Sequence, residues 1–134
     1  MSQNHNIVLF TKFAAVGVAG YFVDASVLHL AMLGGMGFYG GRVVSFLVAA
    51  TFTWMVNRLL TFRHAARSDK KSAQWLKFVV ANSLGGLVNL GVYSALVAAT
   101  SWFATYPSLA VGVGSLSGLG FNFAASKRLV FRVP

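Results

Sequence analysis

Residues 78–126 read FVVANSLGGLVNLGVYSALVAATSWFATYPSLAVGVGSLSGLGFNFAAS, a run of 49 positions without one Asp, Glu, Lys or Arg. A membrane-spanning helix needs about 20 apolar residues. The run therefore holds two spans and a short turn, and the turn falls in the aromatic segment around Trp102, Phe103 and Tyr106. Residues 13–57 read the same way, interrupted only by Asp24 and Arg42. The expected fold is an all-α membrane protein with four transmembrane helices, at roughly 11–33, 38–57, 78–99 and 107–126. Residues 1–134 form one transmembrane domain in this reading.

Composition agrees. Of 134 residues, 57% are hydrophobic and only 10% charged, where a soluble domain spends about 25% on charge. That argues against both an ordinary soluble domain and disorder. The absence of Cys excludes disulfides, thiolate metal sites and Cys nucleophiles. The first apolar stretch is not expected to be a cleaved signal, because it has no basic start before Lys12, is too long and is followed by three more spans.

The net charge of +9 could indicate nucleic acid, so the position of the charges decides. With the amino terminus in the cytoplasm, Lys12, the 58–77 loop and the 127–132 tail all face inward. Ten of eleven Lys/Arg are then inside, and only Arg42 lies near the outer surface. This is a positive-inside pattern with both termini cytoplasmic. The outer turns carry Phe38, Tyr39, Trp102, Phe103 and Tyr106, which suit the headgroup interface. The basic charge reads as orientation and attraction to anionic membrane lipid, not nucleic-acid binding.

The chain also contains an internal repeat. Residues 12–28, KFAAVGVAGYFVDASVL, align with 77–93, KFVVANSLGGLVNLGVY, at an offset of 65. Residues 52–63, FTWMVNRLLTFR, align with 121–132, FNFAASKRLVFR, at an offset of 69. Each repeat (about 11–63 and 76–132) has two spans, so both begin on the same side and the repeats are parallel. Each span carries one stripe of small and polar residues at helical spacing. These are Gly17, Gly20, Asp24 and Ala31, then Arg42, Ser45, Ala49, Thr53 and Asn57, then Asn82, Gly85/Gly86, Asn89 and Tyr93, then Val111, Gly114, Gly118, Asn122 and Ser126. Small residues let helices approach in lipid, and polar groups avoid the tails, so the stripes are expected to face one another. For Asn82, Asn89 and Asn122, helix packing and ligand contact are equally open readings.

Two charges fall at membrane depth. Asp24 and Arg42 have uncharged repeat partners, Asn89 and Val111. Asp24 lies roughly 13 Å, and Arg42 roughly 6 Å, from the outer end of its span. The difference is within reach of an extended Arg side chain, so the two are expected to pair across the bundle. The competing reading has Arg42 reaching the outer headgroups and Asp24 bonding a helix neighbour. A second basic cluster, Arg58, Arg63, Lys77, Lys127, Arg128 and Arg132, gathers at the inner ends of the spans. They serve topology and lipid anchoring, or bind phosphate on the cytoplasmic face. His5, His29 and His64 are scattered and no acids converge on them, so neither a hydrolytic centre, nor a metal site, nor a cofactor is expected. The chain has no Walker-type loop and reads as a non-enzyme.

Taken together, KFAAVGVAGYFVDASV at the start, Asn57-Arg58-Leu59-Leu60-Thr61-Phe62, Trp75-Leu76-Lys77-Phe78, and the closing Phe121-Asn122-Phe123 and Lys127-Arg128-Leu129-Val130-Phe131 resemble the GtrA-like family of small four-helix membrane proteins. The resemblance covers residues 8–132. Ser126-Lys127 stands where the first repeat would suggest a second Asn-Arg, so a phosphate role carries over to Lys127 less directly than to Arg58. The resemblance implies a bacterial cytoplasmic-membrane protein of cell-surface polysaccharide synthesis. Its work would be translocation of a polyprenyl-phosphate-linked monosaccharide such as undecaprenyl-phosphate glucose. Arg42, Arg58, Arg63, Lys77 and Lys127 would then meet phosphate, and Asp24, Asn57, Asn82, Asn89 and Asn122 the sugar hydroxyls. The alternative it implies is a non-catalytic membrane anchor or partner of a polyprenyl-phosphate glycosyltransferase. A small multidrug exporter using Asp24 fits less well, because dual insertion needs a weaker charge bias. Four short spans enclose little space, so a homo-oligomer is also open.

Overall fold

The computed structural model describes residues 2–65 and 70–133, so Arg67 and Asp69 of the basic loop lie outside the described residues. The order of elements is α1 (Gln3–Leu33), α2 (Phe38–Val56), a first π turn (Asn57–Thr61), α3 (Lys71–Ala99), α4 (Ser101–Thr105), α5 (Pro107–Ala125) and a second π turn (Ser126–Val130). Four helices are long and apolar enough to cross a membrane: Gln3–Leu33, Phe38–Thr61, Lys71–Ala99 and Pro107–Val130. The protein is an all-helical, multi-pass membrane protein.

Local chemistry sets the ends. The Ser2 hydroxyl accepts from the His5 amide at 3.3 Å and starts α1. Gly35, at φ +91°, ends it. That left-handed residue lets the Met36 amide reach back to the Ala31 carbonyl and the Gly35 amide to that of Met32, closing carbonyls that would otherwise stay open. Thr100 caps α4 through Phe103. Pro107 opens α5 at a position where its missing N–H costs nothing.

Two of the starts differ from the sequence expectation. Helix α1 begins at Gln3 and α3 at Lys71, about two turns before the expected span starts at 11 and 78. The polar residues there tolerate helix well once they lie outside hydrocarbon. At ~46 Å, 31 residues exceed a 30 Å hydrocarbon core. The expected ends of spans two and four fall where the α-helical pattern changes to π.

The four spans form two hairpins, α1 against α2 and α3 against α5, each packed along its length. The hairpins touch each other much less, chiefly at the end of the bundle that holds both chain termini, called here the terminal end. Their shared core is Leu9, Phe13, Phe62, Phe78, Ala81, Ala125, Val130 and Phe131. Phe62 and Phe131, aligned in the sequence, stack on each other with centroids 4.6 Å apart and planes 20° apart. Phe13 lies 6.2 Å from Phe62, and its aligned partner Phe78 lies 6.3 Å from Phe131. Such matched distances are what a two-fold axis between Phe62 and Phe131 would give. The two π turns stand 69 residues apart, the sequence offset of that region, and each ends with the same bond, Phe62 N–H to Asn57 and Phe131 N–H to Ser126, at 2.8 Å.

Away from this core the bundle is lined by small residues and faces outward with large apolar ones such as Leu30, Leu33, Leu87 and Leu116. Lipid tails are as apolar as leucine, so helices gain little by hiding it and associate through close packing instead. Phe62→Leu is expected to cost about 1–2 kcal/mol, from the lost stack and the space left behind. Leu59→Ala, at an exposed site on the same turn, should change stability by less than about 0.5 kcal/mol. Unfolding titrations in bicelles separate the two.

Candidate functional site

Because the hairpins meet at one end, a crevice opens between them. Its first chamber has a volume of about 230 Å³. Helix α1 contributes Gly17, Gly20 and Asp24, α2 Ala49 and Thr53, and the first π turn Asn57. From the other hairpin come Asn82 of α3 and Asn122 of α5. A second chamber, about 350 Å³, shares Gly17, Tyr21, Asn82, Leu119 and Asn122 with the first and adds Gly85, Asn89 and Gly118. All five residues read as sugar contacts thus line one crevice, Asn89 only in its second chamber. Small residues keep the walls thin: a side chain at Gly20 would strike Thr53, and one at Gly85 would strike Asn122.

Asp24 and Arg42 pair. Arg42 Nη1 donates to Asp24 Oδ2 at 3.0 Å, with side-chain exposures of 44% for Arg42 and 24% for Asp24. The bond joins α1 to α2 within one hairpin. The second carboxylate oxygen, Asp24 Oδ1, is buried and has no partner. Asn122 Oδ1 is in the same state. Asn82 is committed in part, since its Nδ2 donates to the Phe78 carbonyl at 3.0 Å. Asn57 Oδ1 accepts from Thr61 at 2.7 Å.

The terminal end carries a different chemistry. Arg58, on the first π turn, is buried; it donates to Gln74 Oε1 and lies 5.9 Å over the Trp54 ring. Trp54 Nε1 donates to the same Gln74 oxygen at 3.1 Å. Lys127, aligned with Arg58 and on the second π turn, donates to Asn6 Oδ1 of α1 at 2.7 Å. Each hairpin therefore presents its π-turn cation to an amide on the first helix of the other. A π turn inserts one extra residue per turn and rotates the side chains that follow. That rotation comes where the chain passes from the crevice wall (Asn57) to the cation (Arg58). Arg63 is exposed and its Nε donates to His64 at 2.9 Å. Lys77 is half-buried on α3.

The match to a known family follows this geometry: the model of the GtrA/DPMS transmembrane domain covers residues 12–131. The chain belongs to the GtrA/DPMS transmembrane family. No curated protein sequence gives a significant match.

In this GtrA/DPMS protein the candidates fall into three groups. Asp24, Asn57, Asn82, Asn89 and Asn122 share the crevice. Arg58, Arg63, Lys77 and Lys127 belong to the terminal end, and Arg42 belongs with Asp24 nearer the opposite end. Gln74, Trp54 and Asn6 escaped the sequence reading. Gln74 was detectable: with Phe78, Ala81 and Gly85 it forms the buried face of α3 at spacings of four, three and four. The stripe simply continues below Phe78, because the helix begins earlier than hydropathy suggests. Asn6 carries no such signal, since its only role is set by a residue 121 positions away.

Between α3 and α5 lies an apolar groove of about 350 Å³, walled by Leu76, Val80, Leu84, Phe121 and Leu129 and floored by Ala81 and Ala125, with Lys77 at its edge.

Proposed function

We propose that this protein carries a polyprenyl-phosphate-linked monosaccharide, such as undecaprenyl-phosphate glucose, from the cytoplasmic to the outer leaflet of a bacterial cytoplasmic membrane. The terminal end faces the cytoplasm, the two hairpins act as parallel halves, and the protein does no covalent chemistry on its cargo. The observation that carries this reading is the crevice: polar side chains within membrane helices, open between two hairpins, in a GtrA/DPMS chain. Polar groups at such depth are costly and usually mark a pathway.

A lipid-linked sugar phosphate has three parts with different needs. The phosphate needs cations, which the terminal end supplies through Arg58, Arg63, Lys77 and Lys127. The sugar needs donors and acceptors away from lipid, which the crevice supplies. The tail needs an apolar exit, which the gap between hairpins leaves open. Arg42 would receive the phosphate at the outer side. The anion's passage outward is favoured by a membrane potential negative inside.

The test is reconstitution. Purified protein in liposomes should speed access of an outer-leaflet probe to short-chain polyprenyl-phosphate glucose. Arg58→Ala should slow this by about tenfold, the effect of losing roughly 1.4 kcal/mol of charge-assisted phosphate binding. Arg58→Lys should keep part of the rate, retaining charge but not the two-pronged geometry. If the wild type gives no acceleration but co-purifies with a glycosyltransferase, the protein is a membrane partner of that enzyme instead.

A further inference from the structure

We propose that the crevice selects a neutral, hydroxyl-rich sugar and rejects one that carries a carboxylate, so that the headgroup is held sugar-first with its phosphate outside the chambers. The proposal rests on the reading that the cargo is a lipid-linked sugar phosphate, and it adds which sugars qualify.

Three observations carry it. The first is the state of Asp24. A carboxylate can only accept hydrogen bonds. One oxygen is taken by Arg42, and the other is buried beside a cavity with nothing donating to it. The second is Asn122, a wall residue of both chambers, whose carbonyl oxygen is also buried and unpartnered. Buried polar atoms are normally satisfied, so two open acceptors on one cavity mark a place for a ligand with two donors. The hydroxyls of a sugar ring are such donors. A phosphate diester has none.

The third observation is the sign of the charge. Among the described residues, no Lys, Arg or His lines either chamber, and Asp24 is the one carboxylic acid that does. An anion placed there would meet the Asp24 carboxylate on the chamber wall, while its cation Arg42 is bonded to Oδ2 and is not among the residues lining either chamber, so the nearer charge is of like sign and repels. The phosphate is therefore kept at the cationic ends, and the sugar fills the chamber. The same repulsion falls on a uronic acid, whose own carboxylate would enter with the ring. The second hairpin has Asn89 and Val111 where the first has Asp24 and Arg42, so the discrimination belongs to one wall of the crevice.

Two probes test this: short-chain polyprenyl-phosphate glucose and the matching glucuronate. Both binding to the purified protein and transport in liposomes are measured. The expected result is that glucose is preferred by at least about tenfold in binding and, where transport occurs, in rate. Asp24→Asn removes the carboxylate at nearly unchanged size and leaves the Arg42 cation uncommitted. It should therefore raise relative acceptance of the glucuronate probe by a similar factor, even if it slows glucose. Comparable handling of the two probes by the wild type overturns the proposal, as does an Asp24→Asn variant with the wild-type preference. Selective binding without transport leaves selectivity standing and ends the translocation reading. Transport of both probes at equal rates does the reverse. Failure to bind either probe ends both.

Discussion

Gly118→Leu is expected to cost about 3 kcal/mol and to pull α5 away from α3. The reason lies in what a side chain would meet. Even a single added carbon at Gly118 would sit 2.9 Å from the Gly85 carbonyl oxygen and 3.1 Å from Asn89 Cβ. At Gly114 it would sit 2.7 Å from the Asn89 carbonyl oxygen. The two oxygens are backbone atoms of α3 and Cβ is fixed to that backbone, so no rotamer change moves them. Relief requires the helices to part, and in lipid the close packing is most of what holds them together. Gly85→Ala is a different case. The three atoms nearest its added carbon all belong to the Asn122 side chain, the carboxamide oxygen at 1.8 Å first. That group can turn away, so the fold should survive while the crevice loses one of its open acceptors. Gly112, with nothing within 4 Å of an added carbon, serves as control, and Gly112→Ala should leave stability unchanged or raise it slightly. Unfolding titrations in bicelles give the order Gly118→Leu, then Gly85→Ala, then Gly112→Ala. Equal losses at all three would mean that the seam between α3 and α5 is not the one described.

The second large effect concerns the ion pair. Arg42→Ala is expected to cost about 2–3 kcal/mol, because it leaves the Asp24 carboxyl at membrane depth without its partner. Asp24 is short and lies deeper, so it cannot reach the interface. Asp24→Ala should cost less, about 1 kcal/mol, because the longer Arg42 side chain can extend to the headgroups. The double variant Asp24→Ala with Arg42→Ala should cost less than the sum of the two single variants, with a coupling of about 1–2 kcal/mol in the cycle. An additive cycle, or Asp24→Ala worse than Arg42→Ala, would show that the pair does not act as a pair. Transport should fall in both single variants. It should not return in the double one, since Asp24 also serves the crevice.

Much of this could be read in the sequence, because the membrane writes large signals. A 49-residue gap in charge fixes two spans with little ambiguity, and two isolated charges whose depths differ by no more than the reach of an Arg side chain point to each other. The stripes of small and polar residues likewise lead to the crevice, since in lipid such residues have nowhere else to go. What the sequence hid is of three kinds. Polar segments such as Gln3-Asn4-His5-Asn6 continue a helix outside hydrocarbon, where hydropathy has no contrast to register. The π turns at Asn57 and Ser126 have no propensity signature of their own; they occur where the aromatic core at Phe62 and Phe131 requires the chain to rotate. The ties of Arg58 to Gln74 and of Lys127 to Asn6 depend on how two hairpins dock, which no local spacing encodes. The site cations were therefore recognised by type, while their partners were not.

The claim on which the rest depends is that the crevice between the hairpins is the sugar's path. The most direct measurement is a structure of the protein in lipid nanodiscs with bound short-chain polyprenyl-phosphate glucose. The expected result places the sugar between the hairpins, its hydroxyls on Asp24 Oδ1 and Asn122 Oδ1, with the phosphate beyond the chamber against Arg58 or Arg42. A lipid held only on the outer surface, for instance in the groove beside Lys77, with Asp24 and Asn122 untouched, would contradict it.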